Sequence, residues 1–182
     1  MKFITFIFCL CCATSVFAAG PVKMSKTLVP EGSTAYPVEI TYFAEDYPVG
    51  TTTAYQKKGV VKLDEAAAFI ERVISDNASA DPSRILSLWR GEEKVRLEET
   101  MAGDKELIGK NANFFKIIED TRFIRKFYYG DYILVLVEHY GNFGDKKEFE
   151  KVYPLEKRGS EMYLTNKLKD DPFYLSIVDI LY

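Results

Sequence analysis

The last third of the chain alternates between short apolar segments and turns, and this pattern limits the fold more than any other feature. Residues 121–129, 132–140, 148–155 and 161–167 are rich in β-branched and aromatic side chains, and glycine-containing turns separate them. Connections this short join antiparallel neighbours. The sequence therefore predicts a meander of three or four antiparallel strands. The most hydrophobic of them, 132–140, is expected at the centre.

The middle of the chain has helical periodicity instead. Asp64 is a natural N-cap, and the apolar residues after it are spaced to form one helical stripe: Ala66, Phe69, Ile70, Val73 and Ile74. Asp81 followed by proline repeats the start signal for a short second helix. Residues 104–115 predict another helix. Residues 92–103 remain ambiguous between a strand and a helical turn.

The remaining segments carry weaker signals. Residues 38–43 alternate with period two and predict a strand, and residues 55–63 predict a second one. Residues 20–37 contain proline, glycine and serine with little pattern, and are expected to form an extended arm. Asp171 followed by proline predicts a terminal helix or turn over 173–181.

All three cysteines of the chain, Cys9, Cys11 and Cys12, lie in an apolar run near its start. Lys2 precedes the run and small residues follow it, which is the pattern of a secretory signal peptide over residues 1–19, with cleavage after Ala18 or Ala19. A membrane anchor is the alternative, although the run is short for a span. The processed chain would have no cysteine and hence no disulfide. We expect it in the periplasm or secreted.

These signals divide the chain into three parts: a signal peptide at 1–19, an extended arm with a predicted strand at 20–53, and a single α+β domain at 54–182. The formal net charge is −3, which argues against a nucleic-acid partner. No second apolar run is long enough to span a membrane after processing. We also expect no cofactor and no metal, because the chain has a single histidine and no clustered ligand pattern.

The order of these elements, over residues 64–89, 103–115 and 121–167, resembles the NTF2-like (SnoaL-type) α+β superfamily. The resemblance lies in element order and not in a signature motif. It implies N-terminal helices packed on a curved antiparallel sheet that forms a cone with a cavity, here with an N-terminal β extension. Enzymes of that family place an Asp/His pair inside the cone, and other members bind small molecules or proteins. No motif here matches the family's catalytic residues, so none is carried over.

His139 is the one histidine, and Glu138 lies beside it. Adjacent strand residues point to opposite faces, so these two side chains are not expected to pair. The alternation places His139 with Ile133, Val135 and Val137. We therefore assign no catalytic residue, and His139 and Glu138 stay as candidates for the enzymatic alternative. Glu148 and Glu150 could form an acidic cluster with Glu138, or a solvated face balanced by neighbouring lysines such as Lys151.

The sequence as a whole favours an exported non-enzymatic binding protein whose partner is another protein or a small apolar ligand. An inhibitor, immunity protein or accessory subunit would fit, and a homodimer would use the open sheet face. The aromatic residues expected on the ligand or partner surface are Tyr128, Tyr140, Tyr153 and Phe149. The alternative is a cofactor-free isomerase, dehydratase or hydrolase that uses His139 with a carboxylate. A structural envelope protein held by the arm is a third option.

Overall fold

A computed structural model describes residues 20–28 and 37–178, and the α+β class is confirmed. Within these residues, six strands form one curved antiparallel sheet whose strand order follows the chain. They are β1 (Val22–Leu28), β2 (Val38–Asp46), β3 (Ile118–Tyr129), β4 (Tyr132–Phe143), β5 (Lys146–Arg158) and β6 (Glu161–Leu164). The predicted signal peptide, residues 1–19, lies outside the described residues.

The helices of the described region begin largely where the sequence predicts. They are α1 (Thr53–Lys57), α2 (Glu65–Ala78), α3 (Pro82–Ser87), α4 (Gly91–Gly103), α5 (Lys105–Lys116) and α6 (Pro172–Val178). An aspartate side chain caps four of them: Asp64 at α2, Asp81 at α3, Asp104 at α5 and Asp171 at α6. Each carboxylate accepts a hydrogen bond from a backbone amide that the first helical turn leaves unpaired.

The predicted strand at 55–63 is wrong, because Thr53–Lys57 forms α1 and the rest is turn and coil. Asp120 on β3 accepts hydrogen bonds from the Thr53 hydroxyl (2.6 Å) and the Ala54 amide (2.8 Å). The Asp120 carboxylate thus satisfies the amino end of α1 from a strand more than sixty residues away. A local pattern of residue types does not contain that contact.

Two other segments form regular secondary structure that the sequence did not predict clearly. The ambiguous stretch at 92–103 is helical and forms most of α4, with Glu92 and Glu93 in its first turn. Strand β4 continues through part of the predicted loop after Tyr140, as far as Phe143. Gly141 permits this, because a Cβ atom there would collide with the backbone carbonyl of Ile117. Within the predicted arm, β1 pairs antiparallel with β2.

The sheet is covered on both faces. Ile133, Val135 and Val137 of β4 pack against α2 and α5, on what we call the helical face. Leu134 of β4 points the other way and packs with Phe173 of α6, on what we call the outer face. A strand buried on both sides reads as a continuous apolar run, which is why 132–140 is the most hydrophobic strand in the sequence.

A bulge in β3 determines which basic side chain of this strand points to the helical face. Phe123 lies opposite Val137, but after a register shift Arg125 lies opposite Leu136. Lys126 therefore follows Phe123 onto the helical face, where its Nζ lies 2.6 Å from Asp64 and 2.9 Å from Glu45. This ion cluster around a buried lysine joins the start of α2 to strands β2 and β3. It anchors the amino end of α2 to the sheet.

Candidate functional site

A cavity of about 370 Å³ lies between α4, α5 and the edge of the sheet. It exists because β6 pairs with β5 only from Leu155 to Arg158, so the preceding part of β5 pairs with β4 on one side and has no strand on the other. Side chains of α4 and α5 line the cavity beside this open edge. The cavity walls include the apolar side chains Leu97, Met101, Leu107, Ile108 and Phe115.

The apolar stripe of α5 is shared between the core and the cavity. Ala112 and Phe115 are buried, as the predicted helical stripe requires, whereas Leu107 and Ile108 are only half-buried. Leu97 and Met101 face them from α4, four residues apart and so on one side of the helix. The cavity wall is therefore made of side chains whose spacing is that of an ordinary buried helix face.

Lys151 provides the charge in this cavity. It lies opposite Val137 on β4, so it points to the helical face. Its Nζ lies 4.7 Å from the centroid of the Tyr153 ring and 5.5 Å from that of Phe115, both within cation–π range. Burial lowers the pKa of the Lys151 ammonium. Among the residues that the structure describes, no carboxylate forms an ion pair with it.

Lys126, on the same face, is a lysine whose charge is balanced by carboxylates. Burial acts to lower the pKa of Lys126, but hydrogen bonds from its ammonium to Asp64 and Glu45 outweigh burial and raise it. The two lysines thus share a sheet face and an aromatic environment and differ in their counter-ions. An ammonium taken out of water without a partner costs free energy that a paired one largely recovers.

Polar side chains close the far wall of the cavity. Asn111 of α5 donates a hydrogen bond through Nδ2 to Oδ1 of Asn77 on α2, at 2.5 Å. Asn77 in turn donates to the carbonyl oxygen of Val73, at 2.8 Å. This amide pair holds α2 and α5 together and leaves no charge on that wall.

His139 is fully buried behind the cavity wall. Its Nδ1 lies 2.8 Å from the Thr121 hydroxyl and its Nε2 lies 2.9 Å from the hydroxyl of Tyr153, which itself lines the cavity. Burial, with a smaller contribution from the Lys151 charge, lowers the pKa of His139 to about 3. Burial also raises the pKa of Tyr153. The imidazole and the phenol are therefore both neutral near pH 7, and one ring nitrogen donates while the other accepts.

Glu138 does not approach His139, as the alternation predicts. It lies on the outer face, where the Arg122 Nη1 is 3.4 Å from its carboxylate and the Tyr140 hydroxyl donates to it. Glu148 and Glu150 lie opposite Tyr140 and Glu138 across the β4–β5 pair. The carboxylates therefore gather on the outer face, away from the cavity.

The four aromatic residues expected on a ligand or partner surface do not form one surface. Tyr153 lines the cavity, and Phe149 packs against His139 and Phe143 with ring centroids 5.0 and 4.7 Å away. Tyr128 lies on β3, which β4 separates from β5, and its hydroxyl donates to Glu45 at 2.8 Å. Tyr140 is on the outer face.

Sequence reasoning missed Lys151, which it placed on a solvated face as a balance for nearby glutamates. The alternation of β5 contains the signal that could have found it. Lys151, Tyr153 and Leu155 occupy every second position, and the latter two are core residues. A lysine in phase with core residues points into the protein.

Comparison of the chain with known protein families, curated proteins and solved structures found no match. The resemblance to the NTF2-like superfamily therefore stays a prediction. Across residues 20–28 and 37–178, no group of three or more His, Cys, Asp or Glu side chains is arranged to hold a metal ion. No helix in those ranges has both the length and the apolar character needed to cross a membrane.

Proposed function

We propose that this chain is an exported, non-enzymatic binding protein that holds a small, mainly apolar ligand in the cavity between α4, α5 and β5. The observation that carries the proposal is the cavity itself, which leaves Leu97 of α4 and Leu107 and Ile108 of α5 only half-buried beside an open sheet edge. Its volume of about 370 Å³ is near the lower end of ordinary ligand pockets, about 300–1,000 Å³.

The surroundings of His139 favour binding over the enzymatic alternative. A general base needs a pKa near the working pH and a group that orients it. The partners of His139 are two neutral hydroxyls, those of Thr121 and Tyr153, and the imidazole is too weak a base to take a proton near pH 7. Tyr153 and His139 are better suited to stiffen the cavity wall.

Two parts of the proposal rest on the sequence. Export rests on the signal-peptide pattern of residues 1–19. A protein partner and a homodimer stay predictions. Each needs a contact surface, and the argument for such a surface is the aromatic content of the sequence, without support from charge or shape in the described residues. The cavity gives the small-ligand proposal a defined place to test.

A dye that fluoresces in apolar surroundings tests the proposal directly. Nile red is uncharged, and we expect its emission to rise when the protein is added. Leu107→Trp fills the cavity from α5 and should abolish most of that rise. Val95→Trp is the matched control, since Val95 is exposed on the neighbouring helix α4 and does not line the cavity.

Unchanged dye binding by Leu107→Trp would place the dye elsewhere and contradict the proposal. So would the absence of any emission change with the unaltered protein. Thermal unfolding of both variants shows whether a loss of binding comes from the filled cavity or from loss of the fold.

A further inference from the structure

Building on the proposed function, we infer that the ligand of this cavity is an amphipathic carboxylate whose anionic group pairs with the Lys151 ammonium. The apolar part of such a ligand would lie against the side chains of α4 and α5. Its carboxylate would reach the β5 wall, where Lys151 lies over the rings of Phe115 and Tyr153.

The charge of the cavity is the first argument. Of the described residues that line it, Lys151 is the single charged one, and none is Asp or Glu. A mostly apolar chamber with one cation attracts an anion more strongly than the same ammonium would in water, because the local dielectric is low. The same chamber repels a cationic ligand, which would meet Lys151 with no carboxylate to offset it.

The second argument is the contrast between the two inward-facing lysines. Lys126 has Asp64 and Glu45 within 2.9 Å, so the chain supplies its counter-ions. Lys151 has two aromatic rings, which stabilise an ammonium only in part. Among the residues that the structure describes, this half-buried cation at the cavity wall has no carboxylate partner. A bound carboxylate would complete this site as Asp64 and Glu45 complete the other.

Three ligands with the same chain separate the possibilities. Decanoate, decanol and decylamine differ in the charge of one end and present the same apolar chain to α4 and α5. Isothermal titration near neutral pH should show decanoate binding about 10- to 100-fold more tightly than decanol, the range expected for a hydrogen bond to a charged group. Decylamine should bind most weakly.

Lys151→Met keeps much of the side chain's length and removes its charge. We expect it to lose the preference for decanoate while binding decanol as well as before. Lys147→Met is the matched control, since Lys147 is exposed on the same strand and does not line the cavity. Lys151→Gln repeats the test if the methionine variant unfolds, which thermal unfolding monitors.

The outcomes distinguish the inference from the function on which it rests. Equal binding of decanoate and decanol, or a preference that survives in Lys151→Met, overturns the inference and leaves an apolar binding site. Failure of all three ligands and of Nile red to bind overturns the proposed function as well.

Discussion

Acid should destabilise this protein through His139, and the loss of stability can be calculated from the pKa of His139 in the folded and the unfolded chain. The pKa of His139 is about 3 in the folded protein, against 6.5 for an unperturbed histidine. Between these values the unfolded chain binds a proton that the folded protein does not. Stability therefore rises with pH in this window. The contribution is fully present above pH 6.5 and is lost as pH falls towards 3.

The magnitude follows from the two pKa values. Each pH unit within the window changes the free energy of unfolding by about 1.4 kcal/mol. Lowering the pH from about 7 to about 4.5 should therefore remove about 2.5 kcal/mol through this single residue. The cause is that protonation would place a second positive charge in the interior, near Lys151 and between two neutral hydroxyls.

His139→Gln isolates this contribution, because glutamine does not titrate. Urea unfolding of both proteins, at several pH values between about 7 and 4.5, gives two curves of stability against pH. The variant should be less stable at neutral pH, where it lacks the fitted imidazole. The difference between the two proteins in the free energy of unfolding should then narrow by about 2.5 kcal/mol between about pH 7 and pH 4.5. The carboxylates are common to both proteins, so their titration does not change this difference. Two parallel curves would refute the reasoning.

The ion cluster and the close approach at Gly141 lead to two further predictions. Lys126→Met should lower the free energy of unfolding by about 2–3 kcal/mol, below the usual cost of breaking a buried pair because the carboxylates of Asp64 and Glu45 are partly exposed. In the same urea assay Lys151→Met should cost little or add stability, and equal losses would contradict the assigned difference in counter-ions. Gly141→Ala should destabilise the protein by more than 1 kcal/mol, since β4 must move away from the Ile117 carbonyl. A neutral effect in thermal unfolding would show that β4 and the end of α5 move apart easily there.

Helix starts were predictable because their causes are local. Each of the aspartates at 64, 81, 104 and 171 binds an amide within three residues of itself, so its effect does not depend on the rest of the fold. The alternation of β4 was predictable for a similar reason, since neighbouring strand residues point to opposite faces in any sheet. The separation of His139 from Glu138 follows from that rule alone.

Distant contacts decided the features that the residue pattern does not contain. Residues 55–57 belong to α1 although a strand was predicted over 55–63, and Asp120 binds the amino end of this helix. Lys126 points to the helical face because a bulge shifts the alternation of β3. The residue types at 123–125 do not predict that bulge.

The sequence by itself determined the fold class, the meander, the positions of most helices and the face on which His139 lies, because these depend on periodicity and on contacts between near neighbours. Only the tertiary structure decided that β6 is too short to cover β5, that α4 and α5 line the resulting gap, and that Lys151 lies there with no counter-ion among the described residues. A cavity is the space left when elements far apart in the chain meet. Its volume and charge therefore depend on how those elements pack and not on any one segment.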